Sequence, residues 1–394
     1  MRDLGFTEPT PVQAAAIPPA LLGRDILASA QTGSGKSAAF GLPLLQALAG
    51  QPRGKTRALI LAPTRELALQ ITAHLSALAK YSGVRVGAVY GGAGFGAQIK
   101  LFSSGTDIIV ATPGRLLDHL VRKTAKLGDV SILVLDEADR MLDMGFLPPV
   151  RRIITYLPAQ RQTLFFSATI PTAIAKLTQE LLRDPVRVSL SPTGSKTTPV
   201  ASVTQTVYSI HRDSKTNLLL ELLKDNTIYS AIAFTRTKAR ANRLAAALAK
   251  NDIPSERIHG DRSQSQRVAA LDGFKRGKFR VLVATDIAAR GIDVVDLGHV
   301  INYDVPAVPE DYVHRIGRTA RANKSGDAIT FVSADEEGLF SQIERSLGGR
   351  LNRAKTPVVA QSAPSPAPGR PELRLGGRNT RRRPERRALS LGVE

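Results

Sequence analysis

The chain's clearest chemical group begins where an apolar run, Ile26-Leu27-Ala28-Ser29, ends in Ala30-Gln31-Thr32-Gly33-Ser34-Gly35-Lys36-Ser37 and a helical pattern follows. Gly33 and Gly35 let a backbone turn tightly, so that its N–H groups converge on one point. Lys36 adds a cation there, and the Ser37 hydroxyl is suited to a magnesium ion. This is the chemistry of a phosphate cradle at a helix N-terminus. The usual spacing, G-x-x-x-x-G-K-[ST], opens on glycine where this chain has Ala30. Alone, the loop fits equally well a strand-to-helix turn with a solvated lysine.

Two further groups bear on that choice. Ile132-Leu133-Val134-Leu135 runs directly into Asp136-Glu137-Ala138-Asp139. Parallel sheets bind ligands at the carboxyl ends of their strands, so these acids would face Lys36. Asp136 can hold Mg²⁺ through water, and Glu137 can orient or deprotonate the water that attacks a γ-phosphate. The alternative is an acidic helix start suited to the helix dipole. Later, Tyr312-Val313-His314-Arg315-Ile316-Gly317-Arg318-Thr319-Ala320-Arg321 sets three arginines at spacing three, which predicts one helical side. Such a cluster suits the charge on a transferred phosphoryl group, with Arg318 and Arg321 as fingers. A solvated basic face or a nucleic-acid patch would use the same residues.

The elements that must position these groups repeat one rhythm. Strand-length apolar runs at Ala58–Leu61, Val84–Val89, Ile108–Ala111, Ile132–Leu135 and Leu164–Phe166 alternate with helical patterns such as Arg65–Lys80 and Pro113–Val121. Continuous β-branched runs imply strands buried on both faces, hence a parallel sheet with helical crossovers. Pro185–Ser202 lacks an apolar period and reads as a linker. The alternation resumes at Val203–Tyr208, Ile228–Phe234, Arg257–Ile258, Val281–Thr285, Val300–Ile301 and Ala328–Val332, with helices such as Arg236–Lys250 and Gln264–Lys275 between them. After Ser346 the chain becomes rich in Pro, Ser and Arg, the composition of a disordered segment.

A length of 394 residues suits two domains with a tail, and 43% hydrophobic residues suffice for substantial cores. No apolar run approaches a membrane span, the N-terminus lacks an apolar signal core, and there is no cysteine. A cytoplasmic protein without membrane association is therefore expected. The net charge of +20 favours a nucleic-acid partner. Residues 351–394 contribute ten Arg/Lys against three Glu, with no interleaved aromatic, and read as an electrostatic arm.

Taken in order, these motifs resemble the DEAD-box RNA helicases of superfamily 2, over roughly residues 5 to 333. Gly5-Phe6-Thr7-Glu8-Pro9-Thr10-Pro11-Val12-Gln13 resembles the family's Q motif, which implies nucleotide contacts by Glu8 and an adenine-reading role for Gln13. Ala30–Ser37 matches its phosphate loop, where alanine commonly takes the first position. Pro63-Thr64-Arg65-Glu66-Leu67, Gly91-Gly92 and Thr112-Pro113-Gly114-Arg115 match its RNA-contacting segments, and Asp136–Asp139 matches the name-giving tetrad. Ser167-Ala168-Thr169 and His314 match residues that couple nucleotide state to unwinding. In the second half, Arg236, Gln264, Arg267 and Thr285 match RNA-contacting positions, and Asp293 matches a ribose contact. The RNA segments of the first half follow strands, so their exposed amides meet backbone phosphates and binding should not depend on sequence. Arg65 and Arg115 either pair with phosphates or brace these loops.

The resemblance implies an α/β fold of two RecA-like parallel-sheet lobes. The expected units are an ATP-binding domain at 1–188, a flexible linker at 189–201, a second domain at 202–346 and a disordered Arg-rich tail at 347–394. ATP and Mg²⁺ would be used, and RNA-stimulated hydrolysis would drive local, non-processive unwinding or remodelling of RNA–protein complexes. The short core with a basic tail is most like the bacterial RhlE-type branch. That tail could tether the enzyme to ribosome assembly intermediates or RNA-degradation machinery. Three departures stand out: only twelve residues precede Gln13, too few for the family's upstream aromatic, Ala320 replaces a glycine, and Ser37 replaces the commoner threonine. The missing aromatic implies weaker ATP affinity. A non-hydrolysing RNA clamp and a DNA-directed helicase are the rival classes, and Glu137 separates the first. Glu137→Gln should abolish ATP turnover yet retain ATP and RNA together; normal turnover in that variant would remove Glu137 from the reaction.

Overall fold

The computed structural model describes residues 4–30, 33–189, 203–289, 297–319 and 326–357. Gln31, Thr32, Asp293, Ala320 and Arg321, with most of the expected linker and tail, lie outside them. The first half supplies strands β1 (Ile26–Ser29), β2 (Ala58–Leu61), β3 (Val86–Val89), β4 (Ile108–Ala111), β5 (Ile132–Leu135), β6 (Gln162–Ser167) and β7 (Val186–Ser189). The second supplies β8 (Val203–Ser209), β9 (Ala231–Thr235), β10 (Ser255–Ile258), β11 (Val281–Thr285), β12 (His299–Asn302), β13 (Gly326–Val332) and β14 (Asn352–Arg353).

Each set forms one parallel sheet, in the orders β3-β4-β2-β5-β6-β1-β7 and β10-β11-β9-β12-β13-β8-β14. The second order is the first one repeated, although the sequence shows no repeat. Parallel strands need crossovers, and helices covering both faces leave the central strands dry. Accordingly β2, β4, β5, β9 and β11 are buried along their whole length. In the first lobe Ile26, Phe40, Ile60, Ile71 and Phe166 fill one side of the sheet, while Leu59, Leu133, Phe165, Val150 and Leu177 fill the other.

Two expectations shift. Val186–Ser189 was expected to begin the linker, but it pairs with β1 as an edge strand, its alternating burial giving only a weak apolar signal. Asn352–Arg353 lies past the expected boundary at 346 and pairs with β8. Gly348, at φ 84°, turns the chain back after helix Glu337–Leu347 to reach that position. Among the described residues no helix is long and apolar enough to cross a membrane.

The second lobe is pinned by a buried charge network. Lys215, with its side chain 1% exposed, donates to Glu336 Oε2 at 2.5 Å and to the Tyr303 carbonyl at 2.9 Å. Glu336 Oε1 also accepts from Arg236 at 3.1 Å, and Asp304 takes Arg240 and lies 3.7 Å from Lys215. Removing one partner of a buried pair leaves an uncompensated charge. Glu336→Ala should therefore destabilise the second lobe by about 3 kcal/mol, read as a lowered denaturation midpoint. An unchanged midpoint would mean that Asp304 alone serves Lys215.

Candidate active site and RNA-facing edge

The loop after β1 leads into helix Lys36–Leu48, and Gly35, its N-cap, has φ 92°. A Cβ on Gly35 would lie 2.6 Å from Gln13 Nε2 and 2.8 Å from Thr10 Oγ1, so glycine is required by space as well as by conformation. Those neighbours brace the loop. Thr10 Oγ1 donates to the Ser34 carbonyl at 2.8 Å, and Gln13 Nε2 donates to the Gly35 carbonyl at 3.1 Å. Gln13 Oε1 accepts from Thr10 N at 3.0 Å, closing a capping box on helix Pro11–Leu21. Gln13 is thus buried and bonded to the loop, whereas Glu8 is exposed. Thr10, which the sequence reading left without a role, is part of the cradle; as an N-cap threonine three residues before a glutamine it carried a legible signal.

Lys36 is 5% exposed, and among the described residues its Nζ has no hydrogen-bond partner, standing 3.6 Å from Asp136 Oδ1 as an ion pair. Burial pushes the Asp136 carboxyl up to about 6, against the opposing pull of Lys36. A buried ammonium facing a glycine-lined turn fits phosphate oxygens as its missing partners. Ser37, half-buried in the same first turn, and Asp136 have the oxygen donors that Mg²⁺ prefers.

The strand β5 ends at Leu135, and Glu137 is the N-cap of the short helix Ala138–Asp143, with φ 53°. Its carboxylate takes the Arg140 guanidinium, and both side chains are 6% exposed. Asp139 is the most heavily bonded of the acids. Its Oδ2 accepts from Ala168 N at 3.1 Å, Thr169 N at 2.8 Å and Thr169 Oγ1 at 3.0 Å. Ser167 Oγ in turn accepts from Asp139 N at 3.0 Å and donates to the Thr169 carbonyl at 2.7 Å. The tetrad and the Ser167–Thr169 segment are therefore joined by hydrogen bonds in both directions.

Across the cleft, helix Pro309–Ile316 carries His314 and Arg315. The expectation of three arginines on one helical side is corrected here, because the helix ends at Ile316 with Gly317 as its cap. Arg315 is 2% exposed and holds Asp286 in two bonds, at 2.6 and 2.7 Å, with Asn302 Oδ1 at 3.1 Å and the Asp304 carbonyl at 2.7 Å. It braces the lobe and does not point to a phosphate. Arg318, in the following turn, lines a cleft with Arg140, Asp311 and His314. Burial, joined by the charge of Arg140, pushes the His314 imidazole below its ordinary value, keeping it neutral near pH 7.

The expected RNA contacts gather at the carboxyl edges of the two sheets. Pro63 and Thr64 are buried after β2, and Thr64 caps helix Arg65–Leu78. The Arg65 guanidinium lies against Gly91 and Gly92, where a Cβ on Gly92 would come within 2.1 Å of it. Thr112 and Pro113 are buried after β4, while Gly114 is exposed. Arg115 donates to the Ala93 carbonyl at 2.7 Å and stacks on Phe95 at 4.4 Å. Both arginines brace loops in this structure. Arg236 is held by Glu336 and the Val305 carbonyl, and Thr285, at the end of β11, is 8% exposed. Gln264 and Arg267 reach the other lobe instead of an open surface: each lies 3.1 Å from Glu66 Oε1. Glu66 was quoted in its motif without a role, and a carboxylate inside a basic RNA motif was the signal available.

A glycine turn with a buried lysine and strand-end acids in one parallel-sheet lobe, facing Arg318 from a second lobe of identical topology, is the arrangement of a two-lobed helicase core. Family comparison agrees: residues 10–177 match the DEAD/DEAH box helicase family and residues 214–323 match the helicase conserved C-terminal domain. The chain belongs to the DEAD-box family, whose class is that of ATP-dependent RNA helicases. It is 42% identical over 362 residues to the DEAD-box ATP-dependent RNA helicase CshA of Bacillus licheniformis, covering 92% of this chain and 74% of that one. It is also 42% identical over 359 residues to CshA of Geobacillus kaustophilus, covering 91% and 76%. Among solved structures, S. cerevisiae Dbp5 bound to RNA and ADP BeF3 matches with TM-score 0.79 and 32% identity, covering 90% of this chain and 92% of that one. The DEAD-box helicase Mss116 bound to ssRNA and UDP-BeF matches with TM-score 0.81 and 29% identity, covering 90% and 76%.

The RhlE-type reading is corrected by these relatives, which are of the CshA type along nearly the whole chain. It had rested on the size of the core and on tail composition, features that the site does not constrain. For the cradle, Gly35→Ala should weaken binding of a fluorescent ATP analogue about tenfold or more, since a left-handed alanine alone costs about 1–2 kcal/mol. Unchanged affinity would show that the Thr10–Gln13 brace yields without disturbing the loop.

Proposed function

We propose that this helicase uses ATP to close its two lobes on an RNA strand, separating a few base pairs locally, and that hydrolysis reopens them. The observation that carries the proposal is the buried Lys36 ammonium, without a hydrogen-bond partner among the described residues, beside Asp136 and Glu137, in a lobe whose cleft is completed by Arg318. Lys36 and the loop formed by Ala30, Gln31, Thr32, Gly33, Ser34 and Gly35 hold the phosphates. Mg²⁺, held by Ser37 and by Asp136 through water, would neutralise charge on the β- and γ-oxygens. Glu137 orients the attacking water, and Arg318 and Arg321 stabilise the charge that develops on the transferred group. Because the arginines and the cradle sit on different lobes, hydrolysis waits for closure, and RNA that favours closure stimulates it.

The proposed units are residues 1–188, 189–201, 202–346 and 347–394, with 352–353 lying against the second lobe. Pro63–Arg65, Gly91-Gly92, Thr112–Arg115, Arg236, Gln264, Arg267 and Thr285 form the RNA edge, with Asp139, Ser167, Thr169 and His314 carrying the nucleotide signal to it. Gln13 and Asp293 serve adenine and ribose. The basic tail adds sequence-independent affinity for structured RNA such as ribosome assembly intermediates, or for RNA-degradation machinery, in a cytoplasmic setting.

One experiment tests this reading: ATPase rate without nucleic acid, with RNA and with DNA, on the full chain and on a chain ending at Pro357. Stimulation by RNA alone is expected. The shorter chain should retain it, with weaker RNA binding and a shallower salt dependence, each lost phosphate contact removing about 0.7–0.9 from the logarithmic slope. No stimulation would favour a clamp, and stimulation by DNA would favour a DNA-directed enzyme.

A further inference from the structure

We infer that Arg140 is a positioning residue for hydrolysis: its guanidinium holds one carboxylate oxygen of Glu137, so that the other meets the attacking water. The inference rests on the assignment of Glu137 to that water. Arg140 stands three residues after Glu137, in the first turn of helix Ala138–Asp143, and its Nη1 contacts Glu137 Oε2. A nearly buried guanidinium there is stabilised by its partner, and the partner is the proposed general base. Burying a carboxylate is costly, and the pair with Arg140 offsets part of that cost while fixing the rotamer.

The surroundings restrict where Arg140 can go. Its backbone N donates to Asp139 Oδ1 at 3.0 Å, and Asp139 Oδ2 is bound to Ala168 and Thr169, so the root of the side chain is anchored to the Ser167–Thr169 segment. Its tip borders the interlobe cleft with Asp311, His314 and Arg318. Two guanidinium groups, from Arg140 and Arg318, thus approach one cleft from opposite lobes. With Glu137 as its partner, Arg140 does not compete with Arg318 for the γ-phosphate, and the arrival of the second lobe is felt at the residue that fixes the base.

A group that only orients the base should alter the chemical step and leave ground-state binding alone. The test is steady-state ATPase at saturating RNA for Arg140→Met, Arg140→Gln and Arg140→Lys, with binding of a non-hydrolysable ATP analogue and RNA measured alongside. For Met and Gln, kcat should fall about tenfold to a hundredfold while KM for ATP and both affinities stay within about twofold. Lys, whose ammonium also pairs with a carboxylate, should restore a substantial part of kcat. If the Met variant fails to fold, the Gln and Lys variants carry the comparison. Unchanged kcat in Met or Gln overturns the inference, and so does a Lys variant no better than Met with affinities falling in parallel. The Glu137→Gln variant keeps the two readings apart. If it retains ATPase activity, the role of Glu137 itself fails. If it is inactive while Arg140→Gln is normal, only the role of Arg140 fails.

Discussion

The structure turns on an ammonium kept dry. Lys36 Nζ is buried, has no hydrogen-bond partner among the described residues and lies 3.6 Å from a carboxylate that burial itself makes reluctant to ionise. An arrangement like this costs free energy, because both groups are withdrawn from water and the distance is too long for a hydrogen bond between them. It persists because the surrounding lobe over-determines it. The parallel sheet ends β1 and β5 at one edge, Gly35 leaves no room for a side chain, and Thr10 and Gln13 close the loop from outside. A buried ammonium so placed suits a ligand that brings anionic oxygens to it.

What is held in one lobe must be felt in the other. Two links cross or approach the cleft, and they differ in kind. In the first lobe, Asp139 ties the strand-end acids to the Ser167–Thr169 segment through one carboxylate oxygen, Oδ2, while Oδ1 accepts from Arg140 N. At the RNA side, Glu66 meets Gln264 and Arg267 from the opposite lobe. The carboxylate presents to Arg267 the same charge and geometry that a phosphate would. The one cation of this link, Arg267, is thus satisfied by a carboxylate of the opposite lobe, which draws the two lobes together.

The legible parts of the fold and site were those set by local sequence. The runs Ala58–Leu61, Ile108–Ala111, Ile132–Leu135 and Val281–Thr285 became strands with those bounds, because continuous burial leaves no other reading of a short β-branched run. Gly35 and Lys36 were legible because a left-handed turn and a cation have direct sequence signatures. The misread positions depended on partners distant in sequence. Regular spacing put Arg315 with Arg318, yet Asp286, Asn302 and Asp304 claim Arg315 for the core and the helix stops at Ile316. Arg267 is fixed by Glu66, some two hundred residues away, and spacing carries no trace of that. The edge strand Val186–Ser189 was lost because an edge needs only half its residues to be apolar.

Glu137 shows why the chain keeps a strained residue where a glycine would relax it. A non-glycine residue in the left-handed region costs of order 1 kcal/mol or more, and here it is also buried. In a continuing strand, Asp136 and Glu137 would point to opposite faces of the sheet. The left-handed step turns the chain from β5 into a helix within one residue. It lets Asp136 accept from Glu137 N at 3.0 Å while facing Lys36, and it lets Glu137 fold back onto Arg140. Both carboxylates then stand at the same edge with different partners. Glycine would satisfy the backbone and forfeit the second carboxylate together with its pair to Arg140, so the strained residue is the one that puts two carboxylates at this edge.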